Sequence, residues 1–319
     1  MKPRLLRFTP LYKERVWGGR ALESRLGRPL PQGKPIGESW EIVDRPGDES
    51  QVAGGPWAGR TLRQIIAAEP AFVMGPAWNP ARPFPILVKW LDARERMSLQ
   101  VHPPAKQAAA LGGEPKSESW YIAEAEPGAA VIAGLRPGVT RAQFEAAIPA
   151  HRLEPLVHQF PVRRGDSFFV HSGRIHAIEA GCFILEIQQN SDTTYRVYDW
   201  GRRGLDGQPR ALHVAESLQC IDFNDTEPAP IPAAATPAVL ADCAEFRLRR
   251  VPLAPNAELK FSANEQPRIL SLVEGRLATD DPTHPVLERG ANVLVPYASA
   301  LVLRALESST LLVTENFAH

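Results

Sequence analysis

Cysteine is scarce in this sequence: Cys182, Cys220 and Cys243 are the only three in 319 residues, far apart and in no C-x-x-C pair. That argues against a disulfide framework and a thiolate zinc site, and it fits a reducing compartment. Neither sign of charge is in excess, with 36 Lys plus Arg against 36 Asp plus Glu. A chain that grips nucleic acid by its phosphates carries a basic excess or stripe, so nucleic acid is not an expected partner. No apolar run approaches the roughly 18 residues that cross a bilayer. Lys2, Arg4 and Arg7 are followed by no apolar stretch, so no secretory leader is expected. Together these absences point to a soluble cytoplasmic protein without a membrane partner.

Proline, by contrast, is abundant: 31 residues beside 23 glycines, about twice average usage. Spread along the chain, the prolines mark many turns between short elements, which favours β architecture over bundled helices. Short strand-like runs include 85–90, 98–102, 119–122, 167–170 and 182–187, each between turn signals. Helical patches are few. Thr61 and Thr140 are candidate N-caps for short helices carrying Leu62, Ile65 and Ile66, and Phe144 and Ile148, respectively. A third helix is expected from about Leu212 to Cys220. Residues 224–237, rich in Ala and Pro, read as a linker. The expected organisation is a metal-binding domain over 1–223, that linker, and a smaller β domain over 238–319. A weak repeat sets Arg164–Val170 beside Arg289–Val295, each a Gly turn leading into an apolar strand. Extending it places His176 opposite Leu301, which predicts two related barrels with only the first equipped for chemistry.

Residues two apart on a strand share a face, so Gln100 and His102 point one way and Val101 the other. By the same rule Lys116, Glu118 and Trp120 share a face. Either triplet alone is an ordinary polar edge. The run from Gly165 to His176 is more specific and resembles the second cupin motif. Gly165, Gly173 and His176 match it, whereas His171 occupies the place of the usual Pro, which leaves that turn's geometry open. His171 is a competing ligand candidate, but His176 keeps the spacing from both glycines. Two N or O donors on one strand, a carboxylate on the next and a His on a later one suit an open metal site. The donor set by itself does not separate Zn2+ from Fe2+ or Mn2+. A long polar stretch, Leu185 to Trp200, follows directly from an apolar strand.

In this order the pieces resemble the short bacterial form of type I mannose-6-phosphate isomerases, over most of the chain. They are Arg15–Gly19, Gly37–Glu41, Lys89–Ala93, Leu99–Pro103, Glu118–Tyr121, Gly173–Ile178 and, most specific, Gln189–Asp199. The resemblance implies a mainly β fold of two cupin-like (jelly-roll) β-barrels with a few short helices. It also implies a zinc-dependent aldose–ketose isomerase that interconverts mannose 6-phosphate and fructose 6-phosphate through a cis-enediol. One zinc per chain would be held by Gln100, His102, Glu118 and His176. Arg196, Lys116 and Asp192 are the expected catalytic residues, and Trp17, Glu186 and Arg202 the expected substrate contacts. The proton carrier stays open among Lys116, Asp192 and Glu186. The sugar phosphate is expected to meet Arg202, Arg203 or Lys116. The oligomeric state is left open, a monomer included. A non-catalytic sugar-binding cupin, an isomerase of other aldoses and an iron oxygenase are the competing readings. The altered first motif, with Gln100 where general cupins begin H-x-H, weakens the last of these.

Overall fold

A computed structural model describes residues 2–319 and is mainly β. Contacts sort the chain into two units. One comprises Tyr12–Ser39 and Trp90–Ala233; the other comprises the chain up to Leu11 with Trp40–Lys89 and Ala234–His319. The boundary at Ala233 falls inside the stretch read as a linker, and segments from the first half join the C-terminal part in its unit.

In the unit holding Trp90–Ala233, a five-stranded sheet runs in the order Val157–Pro161, Ala130–Leu135, His176–Ile178, Leu99–Val101, Tyr195–Tyr198. A second sheet begins with Ser167–Val170, Glu118–Ala125 and Cys182–Gln189. The period-2 alternation of strands decides which side chains lie inside. Val131, Ala133 and Ile178 from the first sheet pack with Trp120, Ile122, Phe168, Val170 and Ile184 from the second. The intervening residues Ile132, Ala177, Leu99, Val101, Tyr195 and Val197 belong to another cluster, shared with Phe144 and Cys220 of two helices. Each fully buried aliphatic or aromatic side chain is worth about 1.5–3 kcal/mol of transfer free energy. This arrangement therefore leaves little freedom of register.

The helices start where their caps dictate. Thr61 and Thr140 each close a capping box, with Gln64 and Gln143 reaching back to the cap N–H, ahead of helices Leu62–Ala68 and Arg141–Ala147. The third helix spans Val214–Cys220. Among the described residues no helix is long and apolar enough to cross a membrane, and Cys182, Cys220 and Cys243 are unpaired.

The other unit repeats the plan. A six-stranded sheet, including Asn292–Val295, Arg268–Glu274 and Ser309–Glu315, shares one apolar core with a four-stranded sheet that includes Leu301–Ala305 and Arg276–Thr279. The weak sequence repeat is real at the backbone. Gly165 and Gly290 have φ of 89° and 90°, and each N–H donates to a carbonyl of the neighbouring strand, Ile122 and Leu272, at 2.7 Å. Only glycine adopts such a φ at little cost. The strand after the break then starts with His176 in one unit and Leu301 in the other.

Candidate metal centre

The inner face of the five-stranded sheet carries a polar row. Gln100 pairs in register with His176 on one side and Arg196 on the other. All three share that face because Leu99, Val101, Ala177, Tyr195 and Val197 point the opposite way. From the facing sheet comes Glu118, which lies between Val170 and Gln188 in register. His102 follows the Leu99–Val101 strand by one residue. His102, Glu118 and His176 are all buried, and their ligand atoms lie within 4.8 Å of one another. Glu118 Oε2 is 3.3 Å from His102 Nε2, and Oε1 is 3.6 Å from His176 Nε2.

The outer nitrogens fix the tautomers. His102 Nδ1 donates to the Thr193 carbonyl and His176 Nδ1 to the Arg174 carbonyl, each at 2.9 Å. A carbonyl only accepts, so each Nδ1 carries the proton and each Nε2 presents a bare lone pair to the centre. Burial, aided by the neighbouring Lys116 ammonium, depresses the His102 pKa to about 3. His176 is likewise held below its ordinary value, chiefly by burial. Both rings are therefore neutral.

Lys116 sits beside them, its Nζ 2.7 Å from Glu118 Oε2, 3.2 Å from His102 Nε2 and 3.9 Å from Glu186 Oε1. Burial alone would raise the Glu118 carboxyl, but the Lys116 charge together with the interactions of His102 and His176 outweighs it and holds the group well below the usual range. The same pairing, with Glu186, lifts Lys116 above its ordinary value against the opposing effect of burial. The centre thus holds a buried ion pair flanked by two neutral imidazoles.

These donors fit a divalent cation. Glu118 Oε2 lacks a well-aligned hydrogen bond despite the nearby ammonium, so a buried carboxylate oxygen remains for a cation. Gln100 places its Nε2 3.2 Å from His176 Nε2, and its Oε1 accepts from Ser98 Oγ at 3.2 Å. A half turn of the amide exchanges the two atoms and offers the oxygen as a fourth ligand. His2Glu with a neutral oxygen is a zinc-type donor set of the open, catalytic kind.

The other expected residues divide into two groups. Glu186 belongs to the centre and accepts from Trp120 Nε1 at 2.9 Å. Arg196 lines the same row, its Nη1 donating to the Ala211 carbonyl at 2.7 Å while the buried Nε has no partner. Asp192 is exposed and acts on Lys116 through its charge. Trp17 is 3 % exposed, packed in the apolar core with Leu91 and Trp120. Arg202 has its guanidinium nitrogens taken up: Nε and Nη2 bind Asp199 Oδ1 at 2.9 and 2.8 Å, and Nη1 donates to the Arg96 carbonyl. His171 stands apart from the ligands, against Asp225.

Sequence reasoning missed Asp199 as an organiser. Its two oxygens hold Arg210 as well as Arg202, and burial notwithstanding, these hydrogen bonds keep it ionised below its ordinary range. Arg210 carried no local signal; eleven residues separate it from its carboxylate. The carbonyls of Thr193 and Arg174 were invisible for a different reason, since no side-chain pattern encodes them.

Fold and site together define a cupin-type protein with a buried His2Glu cluster that could hold a metal ion. The family model described as phosphomannose isomerase type I, catalytic domain, matches residues 5–143, a span that includes Gln100, His102, Lys116 and Glu118. A mannose-6-phosphate isomerase of Bacillus subtilis is 33% identical over 308 residues, 91% of this chain and 92% of that protein. A crystal structure of the mannose 6-phosphate isomerase from Bacillus subtilis superposes with a TM-score of 0.84 at 30% identity, covering 98% of this chain and 99% of that one. A mannose 6-phosphate isomerase structure bound with zinc and yttrium shares the fold, with a TM-score of 0.74 at 18% identity over 98% of this chain and 99% of that one. The chain belongs to the type I phosphomannose isomerase family.

Proposed function

We propose that this protein interconverts mannose 6-phosphate and fructose 6-phosphate with one zinc ion per chain, held by His102, Glu118, His176 and Gln100. The observation that carries the reading is the convergence of two bare imidazole Nε2 atoms on an ionised, buried Glu118. When bound, the zinc supplies Lewis acidity and a template for sugar oxygens.

The remaining work falls to the chain's own residues. Aldose–ketose isomerisation moves a proton between C1 and C2 and develops negative charge on the adjacent oxygen. Arg196, permanently cationic and with Nε unpaired on the inner face, stabilises that oxygen or holds the sugar. Lys116 and Glu186 lie together at the ligand set and provide the groups through which a proton is held or passed. Asp192, exposed beside them, tunes Lys116 by its charge. With Arg202 committed to Asp199, the sugar phosphate is assigned first to Arg203, whose Nη1 donates to the Gly207 carbonyl, with Lys116, engaged by Glu118 and His102, as the second cation. Trp17, shielded in the core, supports the site from behind rather than meeting substrate. The strands after Ala234 carry no counterpart to His176 and are assigned a structural role. Three unpaired cysteines agree with a cytoplasmic setting.

The test is a coupled assay of purified protein with mannose 6-phosphate beside other aldose phosphates. Turnover of mannose 6-phosphate above the others supports the assignment. Preference for a different aldose keeps the reaction class and replaces the substrate; no turnover of any sugar, with zinc bound, leaves the binding cupin as the better reading.

A further inference from the structure

The turn that delivers His176 to the centre lacks the proline that stiffens it in the motif it resembles; His171 stands there instead. Between the strands Ser167–Val170 and His176–Ile178, residues 171–175 form no regular structure, so something else must hold them. Gly173, at φ 91°, donates its N–H to the carbonyl of His102 at 2.8 Å and accepts from Asp222 N at 2.9 Å. Arg174 forks onto Asp225, Nε to Oδ2 at 2.7 Å and Nη2 to Oδ1 at 2.8 Å, while Nη1 donates to the Phe169 carbonyl. The pair is largely enclosed, with side chains 11% and 9% exposed. On its other flank Asp225 Oδ1 lies 3.7 Å from His171 Nε2, and His171 Nδ1 donates to the Ser172 carbonyl at 3.0 Å. Asp225 is anchored in turn through its own carbonyl, which accepts from Leu135 N at 2.9 Å.

We infer that Asp225 is a positioning residue for the metal ligand His176. Its side chain meets Arg174 and His171 rather than His102, Glu118 or His176. By clamping the Arg174 side chain and flanking His171, it fixes the Arg174 main chain, whose carbonyl takes the His176 Nδ1 proton and so sets the ring's tautomer and aim. A bidentate guanidinium–carboxylate fork resists rotation in a way a single hydrogen bond does not. The electrostatic clamp does here the stiffening that a proline ring does elsewhere by covalent restraint. The inference rests on the metal reading of His176.

The test measures zinc affinity of chelator-stripped wild type and Asp225→Asn by competition with a chromophoric chelator, alongside the thermal unfolding of each metal-free protein. An Asn presents an N–H to one arm of the fork and breaks it. The expected result is roughly tenfold weaker zinc binding, the lower end of what outer-shell changes cost, with affinity recovered in part by Asp225→Glu. Arg174→Lys keeps the charge and the main chain but loses the fork, and is expected to weaken zinc in the same direction. It carries the test if Asp225→Asn does not fold. A fall in metal-free stability with unchanged zinc affinity in the variants overturns the inference and leaves Asp225 a purely structural residue. Wild-type protein that binds no zinc overturns the metal reading as well, and the two failures are told apart by the wild-type titration alone.

Discussion

Replacing Lys116 with Met separates the two partners that Glu118 has been assigned. The substitution keeps the length of the side chain and removes its charge. In the metal-free protein Glu118 then loses an ammonium 2.7 Å away and is left buried beside two neutral imidazoles without its compensating charge. Breaking a buried pair from one side costs about 3–5 kcal/mol, because the stranded charge keeps its desolvation penalty. With zinc bound, the cation compensates Glu118 directly and the ammonium is no longer needed for that purpose. The destabilisation should therefore be large in chelator and much smaller in excess zinc. Equivalently, zinc should stabilise Lys116→Met by several kcal/mol more than it stabilises wild type, through the ordinary linkage of ligand binding to unfolding. Denaturant or thermal unfolding of both proteins, each with chelator and with zinc, measures all four corners of this cycle. Equal penalties in the two conditions would refute the reasoning, since zinc would then not be taking over the role of the ammonium at Glu118.

Arg196→Ala is expected to abolish turnover in the coupled assay while one zinc per chain remains bound; near-normal activity would remove its assigned role. Gly173→Ala places a Cβ at φ 91°, 3.1 Å from the Cys220 carbonyl, and should cost about 1 kcal/mol or more of stability, read as a lowered melting temperature, together with weaker zinc binding. The neighbouring Asp225 carboxylate raises the His171 pKa above its ordinary value, against burial and the nearby Arg174. Its stabilisation is therefore fully present below about pH 6.5, the unperturbed value, and is lost as pH rises through the higher folded value. Melting temperatures of metal-free wild type should decline over that range, and those of His171→Gln should not show this component.

Much of the centre was legible because strand alternation is a strict rule. Gln100 with His102, and Glu118 with Lys116, could be given a shared strand face from spacing, and Thr61 and Thr140 were readable as N-caps ahead of apolar helical faces. The choice of His176 over His171 followed from distance to two glycines, and the structure seats His171 against Asp225 instead of the ligands. What stayed hidden depends on partners distant in sequence or on main-chain atoms. Arg202 looked free to meet a phosphate until Asp199 and the Arg96 carbonyl were seen to occupy it. Asp225 lies 51 residues from Arg174, and the carbonyls of Arg174 and Thr193 have no signature at all. The grouping of Trp40–Lys89 with the C-terminal strands likewise follows from tertiary contacts that no local composition reveals.

Zinc titration of stripped protein, with bound metal and mannose 6-phosphate isomerisation followed in the same samples, tests the central assignment most directly. Activity should rise in proportion to zinc up to one equivalent per chain and then level off, and Glu118→Gln should both bind zinc far more weakly and fail to respond. Isomerisation that persists in the stripped protein, or a Glu118→Gln variant that takes up zinc like wild type, would contradict the account.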